Sequence, residues 1–255
     1  MYYFASDTHL GLTSEADPRA RERIFIAWLD MAAADAKGIF LVGDIFDFWF
    51  EYRRVVPKGY VRLLGKLAEL TDRGIEVHFF PGNHDMWTGS YFAEEVGMTV
   101  HAGPEQTELY GKKVFVAHGD AMNIKGQPML KLMNRFFRSR TARCIFSWII
   151  HPDHFLKFGQ RWSSGSRKSK EIKREFGGEE EGLVQYARRF MEDHEVDYFV
   201  FGHIHCAEEY DLGNAKVFFL GEWFENPHYA ALDPDGTMKL NKYDYDAKQF
   251  VIRNS

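Results

Sequence analysis

The segment Tyr2-Tyr3-Phe4-Ala5-Ser6-Asp7-Thr8-His9 is a short apolar run that passes directly into a carboxylate and an imidazole. The same pairing recurs along the chain. Ile39-Phe40-Leu41-Val42 precedes Gly43-Asp44 and Asp47, and Val77-His78-Phe79-Phe80 precedes Gly82-Asn83-His84-Asp85. Lys113 to Ala117 leads into His118-Gly119-Asp120, and Asp197 to Phe201 into Gly202-His203-Ile204-His205. Short runs rich in Phe, Ile and Val, bounded by turn residues, read as buried strands. In an open sheet the ends of such strands share one edge, so side chains distant in sequence converge there. That edge is the expected functional site.

Helical patterning fills the intervals, at Arg19 to Ala36, Tyr60 to Arg73 and Glu179 to His194, which is the rhythm of a layered α/β architecture. Gly38 and Gly74 stand where helix C-termini would need left-handed residues. Further strands are expected at Thr107 to Tyr110, Ala215 to Leu220, Tyr229 to Asp233 and Met238 to Tyr243. Tyr110-Gly111-Lys112 and Pro234-Asp235-Gly236 read as the turns of hairpins. With 255 residues, no internal repeat and no linker, the chain reads as a single domain over 1–255.

A composition of 45% hydrophobic and 27% charged residues excludes disorder, and no apolar run approaches the ~20 residues of a membrane span. Cys144 and Cys206 make no disulfide framework, and no signal peptide precedes the first run, so a reducing cytoplasm is expected. The net charge of −5 hides an asymmetry. Between Met122 and Gly178 stand 13 Lys and Arg against 3 Asp and Glu, together with eight Phe and Trp. This segment breaks the strand-helix rhythm, with helical patterning at Pro128 to Arg143 and Arg161 to Phe176. It reads as an inserted lid over 122–178. Basic and aromatic residues suit an anionic, partly apolar partner; a solvated helical face is the plainer alternative.

Taken singly, each polar cluster is weak. Asp-x-His arises by chance, Gly-Asn-His-Asp can be a turn, and a histidine after a strand can be an ordinary core residue. Jointly they bring three or more carboxylates, an amide oxygen and up to five imidazoles to one edge, a set that needs a cation. Asp7 and His9 alternate along an extended segment and can face one side, as can His203 and His205. Asp44 can bridge two ions with its two oxygens. Two ions about 3.5–4 Å apart would hold a hydroxide and clamp a phosphoryl group.

The series Asp-x-His, Gly-Asp-x-x-Asp, Gly-Asn-His-Asp, His-Gly-Asp and Gly-His-x-His, spanning residues 7 to 205, resembles the calcineurin-like metallophosphoesterase superfamily. The resemblance implies a four-layer αββα sandwich of mixed sheets with a binuclear centre. It assigns Asp7, His9, Asp44 and His205 to one ion and Asp44, Asn83, His118 and His203 to the other. It implies that His84 acts on the phosphate or leaving oxygen, oriented by Asp85. Asp47 and Asp120 read as acceptors that orient ligand histidines.

A finer resemblance, to the UDP-2,3-diacylglucosamine pyrophosphatases of lipid A synthesis, rests on Phe4 to Gly11, Gly43 to Trp49 and the helical insertion after Asp120. Glu51 to Leu70, with Val55-Val56-Pro57-Lys58-Gly59, is like the Bacteroidetes-type members. It implies hydrolysis of the nucleotide-sugar diphosphate to UMP and a diacylated sugar phosphate. Manganese is the expected metal, with iron, cobalt or zinc as alternatives, and the lid holds acyl chains. It also implies a peripheral position on the cytoplasmic face of a Gram-negative inner membrane, with no obligate nucleic acid. Asn83, Arg161, Ser163, Arg167, Lys168 and Ser169 are candidate substrate contacts. Phe136, Phe137, Phe146, Trp148, Phe155, Phe158 and Trp162 are candidates for an acyl groove. The best-known branch has arginine where this chain has His84, and its polar residues after the His-Gly-Asp block are not matched by Ala121-Met122-Asn123-Ile124. The alternatives are a general metallophosphodiesterase or nuclease and, further off, a non-catalytic scaffold.

Overall fold

The computed structural model describes residues 1–11, 17, 19–122, 139–154, 159 and 176–245. Strands β1 (Tyr2–Ala5) and β2 (Gly38–Val42) are buried along their whole length, as strands covered on both faces must be. With β3 (Glu76–Phe80) and the short β4 (Thr99–Val100) they form a parallel run. The hairpin of β10 (His228–Leu232) and β11 (Met238–Lys242) extends this sheet antiparallel on the β1 side, in the order β11-β10-β1-β2-β3-β4. A second sheet has the order β5-β6-β7-β9-β8, built from β5 (Glu105–Leu109), β6 (Lys112–Ala117), β7 (Tyr198–Phe201), β8 (Ala207–Asp211) and β9 (Lys216–Leu220). Its β6, β7 and β9 are parallel and its two edge strands antiparallel.

Side-chain alternation sorts the apolar residues into layers. Phe4, Phe40, Val42 and Phe80 meet Val114, Val116, Val200, Phe218 and Leu220 between the sheets. Tyr3, Ala5, Ile39, Leu41, Val77 and Phe79 face outward onto helices α1 (Ala20–Ala32) and α2 (Val61–Asp72). On the far side Phe115, Ala117, Phe199, Phe201, Val217 and Phe219 pack against Leu183, Val184 and Ala187 of the last helix. The order is helix, sheet, sheet, helix, the expected sandwich. A short helix α3 (Tyr91–Glu94) follows β3, and α4 (Arg140–Ile149) and α5 (Gly182–Met191) lie between β6 and β7.

One sequence expectation needs correction. Gly74 does adopt φ +84° after α2, but Gly38 is the first residue of β2. A Cβ there would lie 3.0 Å from the Tyr2 ring, so its small size serves packing. Within the insertion the described residues hold α4 and helical residues 152–154, while the helices expected at 128–143 and 161–176 lie largely outside the described residues. Arg161, Trp162, Ser163, Arg167, Lys168, Ser169, Phe136, Phe137, Phe155 and Phe158 lie outside the described residues. Phe176 packs on Tyr210 and Phe219, in the core beneath the second sheet. The Tyr110-Gly111 turn closes its hairpin with φ +49° and +74°. Cys144 and Cys206 are free thiols. No helix among the described residues is long and apolar enough to cross a membrane.

Candidate metal centre

The polar clusters emerge at the C-terminal ends of β1, β2, β3, β6 and β7, all parallel strands, and meet where the two sheets adjoin. Alternation along extended chain does not bring them together. β1 ends at Ala5 and β7 at Phe201, and Asp7, His9, Asp44, His203 and His205 all take positive φ, from +42° to +70°. Among the described residues only Tyr60 and Tyr110 share this conformation outside glycine. Such backbone costs an L-residue roughly 1–3 kcal/mol and persists only when its surroundings fix it. Here they do: Asp7 N donates to Gly43 O at 3.0 Å and His9 N to Asp44 O at 2.9 Å, lacing the end of β1 to that of β2.

Each central carboxylate spends one oxygen on a backbone amide and keeps the other for the site. Asp7 Oδ2 accepts from His203 N at 3.0 Å, while Oδ1 lies 3.2 Å from His205 Nε2 and 3.8 Å from His9 Nε2. Asp44 Oδ1 accepts from His84 N at 2.8 Å, while Oδ2 lies 3.3 Å from His118 Nε2 and 3.8 Å from His9 Nε2. Asp44 therefore stands between the two groups of imidazoles. Glycine makes this approach possible: a Cβ on Gly82 would collide with Asp44 Oδ1, and one on Gly202 would lie 2.6 Å from Asp7 Oδ2.

Tautomers follow from partners. His118 Nδ1 donates to Val42 O at 2.9 Å, which turns Nε2 toward Asp44. His84 Nδ1 donates to the carbonyl of Asp47 at 2.9 Å, leaving Nε2 for the site, with its ring 4.7 Å from that of His9. Asp85 is misplaced by the sequence reading. Its oxygens accept from the amides of Gly82 (2.7 Å), Asp44 (3.2 Å), Ile45 (2.8 Å) and Phe46 (3.3 Å), so it shapes the loops carrying Asp44 and Asn83. The bond that orients the His84 ring comes from Asp47, whose carboxylate also lies 3.7 Å from His9 Nδ1. Asp120 borders the same end of the sandwich, where its charge acts on His118.

The donors form three tight groups: Asp7, His9 and His205; Asp7, Asp44 and His118; and His9, Asp44 and His84. The site atoms Asp7 Oδ1, Asp44 Oδ2, Asn83 Oδ1 and His118 Nε2 are buried without hydrogen-bond partners among the described residues. Buried polar atoms are ordinarily paired, and Asp7, Asp44 and His118 bring theirs within 4.8 Å of one another, so this cluster calls for a ligand. His9 Nε2 and His205 Nε2 stand 3.3 Å apart, two ring nitrogens of the kind that a shared cation reconciles. Carboxylate, amide and imidazole donors fit divalent transition ions. Asp7, His9, Asp44 and His205 could hold one, and Asp44, Asn83, His118 and His203 another, with His84 close enough to His9 and Asp44 to border the first.

Electrostatics agree. Burial works against the charged forms of Asp7 and Asp44, but His205 and His118 hold both carboxyls below the usual range. Burial lowers His9 to about 4, so it is neutral at pH 7. Burial would also lower His118, yet the Asp44 charge overrides it and pushes this imidazole up to about 10. In the metal-free chain a His118 proton thus supplies the positive charge. Loading must expel it, so affinity for the ion at His118 should rise up to tenfold per pH unit below about 10. Calorimetry in buffers of different ionisation enthalpy should show close to one proton released per chain at pH 7.

Sequence reasoning missed Arg21 and Phe224. Phe224 stacks on His9 at 5.5 Å and Arg21 lies over Phe224 at 4.0 Å. Phe224 follows Leu220, an apolar run ending in Gly221-Glu222, so the rule that found the other clusters could have found it. Arg21 carries no comparable signal.

The family model for calcineurin-like phosphoesterases matches residues 2–207. A UDP-2,3-diacylglucosamine hydrolase of Porphyromonas gingivalis is 40% identical over 91% of this chain and 93% of its own length. Proteins with the same name from Haemophilus ducreyi and Hahella chejuensis are each 26% identical, over 87% and 93% of this chain and 91% and 96% of their own lengths. A match covering all five clusters, on a fold that gathers them at one sheet edge, makes this chain a member of the calcineurin-like phosphoesterase family, a metal-dependent hydrolase.

Proposed function

We propose that the chain hydrolyses the diphosphate of UDP-2,3-diacylglucosamine, releasing UMP and 2,3-diacylglucosamine 1-phosphate for lipid A synthesis. The observation that carries this is the near full-length similarity to the P. gingivalis UDP-2,3-diacylglucosamine hydrolase. Two divalent ions, manganese in the first place, would polarise the phosphoryl oxygens and acidify the attacking water. Water adds its oxygen to the phosphorus bonded to uridine, and the bond from that phosphorus to the bridging oxygen breaks. The pair leaves with the sugar phosphate. Asn83 and His84 sit on one loop beside Asp44, where His84 in its imidazolium form, with Nδ1 donating to Asp47 O, can donate from Nε2 to a phosphoryl oxygen. A sugar phosphate is a good leaving group and needs little protonation, so His84 serves mainly to stabilise charge.

Apolar surface next to the site supports a lipid substrate. Phe146 and Ile150 pack against Phe48, Phe50, Tyr52 and Trp87, while Ile145, Trp148 and Ile149 of α4 remain exposed and Arg53 lies 5.3 Å over Trp148. This face, with the basic insertion, suits peripheral contact at the cytoplasmic side of the inner membrane. The test offers the manganese-loaded protein UDP-2,3-diacylglucosamine, a cyclic nucleotide and single-stranded DNA in parallel. UMP from the first should appear roughly 100-fold faster than any product of the others. Comparable turnover of the cyclic nucleotide or DNA would establish the general phosphodiesterase reading instead.

A further inference from the structure

Arg21 lies on the first turn of α1 and is only 6% exposed. A guanidinium withdrawn from water needs dipoles or anions around it. Nη1 donates to the carbonyl of Thr8 at 3.3 Å and to that of His9 at 3.2 Å, and Cζ lies 4.0 Å from the Phe224 ring centre. The Phe224 ring in turn lies 5.5 Å from His9 and 6.3 Å from His205, inclined by 29° and 34°. One cation and one aromatic ring thus back both imidazoles of one half of the centre.

The backbone consequence is specific to His9, whose φ is +42°. The peptide unit before it is held at its oxygen by Arg21 and at its nitrogen by Asp44 O. The unit after it is held at its oxygen by Arg21 and at its nitrogen, Leu10 N, by Ile45 O at 2.9 Å. Both peptides that define the His9 torsions are therefore tied at both ends. Arg21 supplies both oxygen-side ties. Among the described residues no such pair stands behind His118, whose ring is fixed by Val42 O.

We propose that Arg21 and Phe224 are positioning residues that hold His9 and His205 in ligating geometry, and so set the affinity of the ion at Asp7, His9 and His205 independently of the ion at His118 and His203. This rests on the two-ion reading of the centre. Arginine serves here because Nη1 donates to both carbonyls while its planar guanidinium lies over the ring, a stacking that a lysine ammonium does not make.

The test titrates manganese into the metal-free full-length protein and follows electron paramagnetic resonance. The wild type should show an exchange-coupled pair at two equivalents. Arg21→Met and Phe224→Leu should bind one ion as the wild type does and the second 10–100-fold more weakly, giving the spectrum of an isolated ion at two equivalents. Phe224→Tyr, which keeps the ring face, should restore the coupled signal. It also serves as the readout if Arg21→Met does not fold. Coupled spectra at wild-type affinity in both variants would overturn the positioning role. So would equal weakening of both ions with a lowered metal-free melting temperature. A wild type that never shows a coupled pair would instead overturn the two-ion reading, and this inference with it.

Discussion

Asp44→Ala should lower hydrolysis about a thousandfold or more, since several kcal/mol of charge stabilisation at the phosphoryl group depend on the carboxylate shared by both halves of the site. Oδ2 faces His118 at 3.3 Å and His9 at 3.8 Å, so one substitution removes a donor from both groups. Stability of the metal-free chain should change far less, by no more than about 2 kcal/mol. His118 can lose its proton once the partner charge is gone, so no unpaired ion stays buried. Urea titrations separate the two effects. Wild type should gain ~2.7 kcal/mol at an ion concentration a hundred times its dissociation constant, and the variant almost nothing. Substantial residual activity with both ions bound would contradict the shared role of Asp44.

Asp85→Ala should act in the opposite manner, costing roughly 3–5 kcal/mol of stability by orphaning buried amides that the carboxylate now receives. Those amides belong to Gly82, Asp44, Ile45 and Phe46. Activity should fall along with the fold, because the same loops present Asp44 and Asn83. A pH dependence accompanies this. Burial, and after it the charge of Asp44, pushes the Asp85 carboxyl from 3.8 up to about 7. A group with a raised folded-state value binds its proton more tightly when folded. Its contribution is full at low pH and declines as pH rises toward 7. In the metal-free chain Asp85→Asn should flatten that decline, read as the urea midpoint between pH 4 and 7. An unchanged profile would show that Asp85 does not titrate there.

The parallel strands were legible because apolar runs such as Ile39 to Val42 are buried on both faces and admit little else at that length. β8, Ala207–Asp211, escaped notice: as an edge strand paired only with β9 it carries two glutamates and no apolar run. The site donors were legible by residue type, since strand ends must converge. Their means of convergence was not. The left-handed turns at Asp7, His9 and Asp44 depend on amide contacts between β1 and β2 ends far apart in sequence. Asp85 was given a ring to orient because it follows His84. The amides that claim it lie largely some forty residues earlier, beyond any local pattern. Arg21 and Phe224 are separated by most of the chain, and only the folded packing puts one against the other.

The donors are divided between the sheets, with Asp7, His9, Asp44 and Asn83 at strand ends of the first and His118, His203 and His205 at those of the second. During translation the last two emerge some eighty residues after His118, so on the proposed ligand assignment a nascent chain would not acquire its full complement of metal until β7 has been synthesised and docked. On the same assignment cofactor insertion would be a late, post-assembly event, and a polypeptide truncated before residue 203 would lack a donor to each ion.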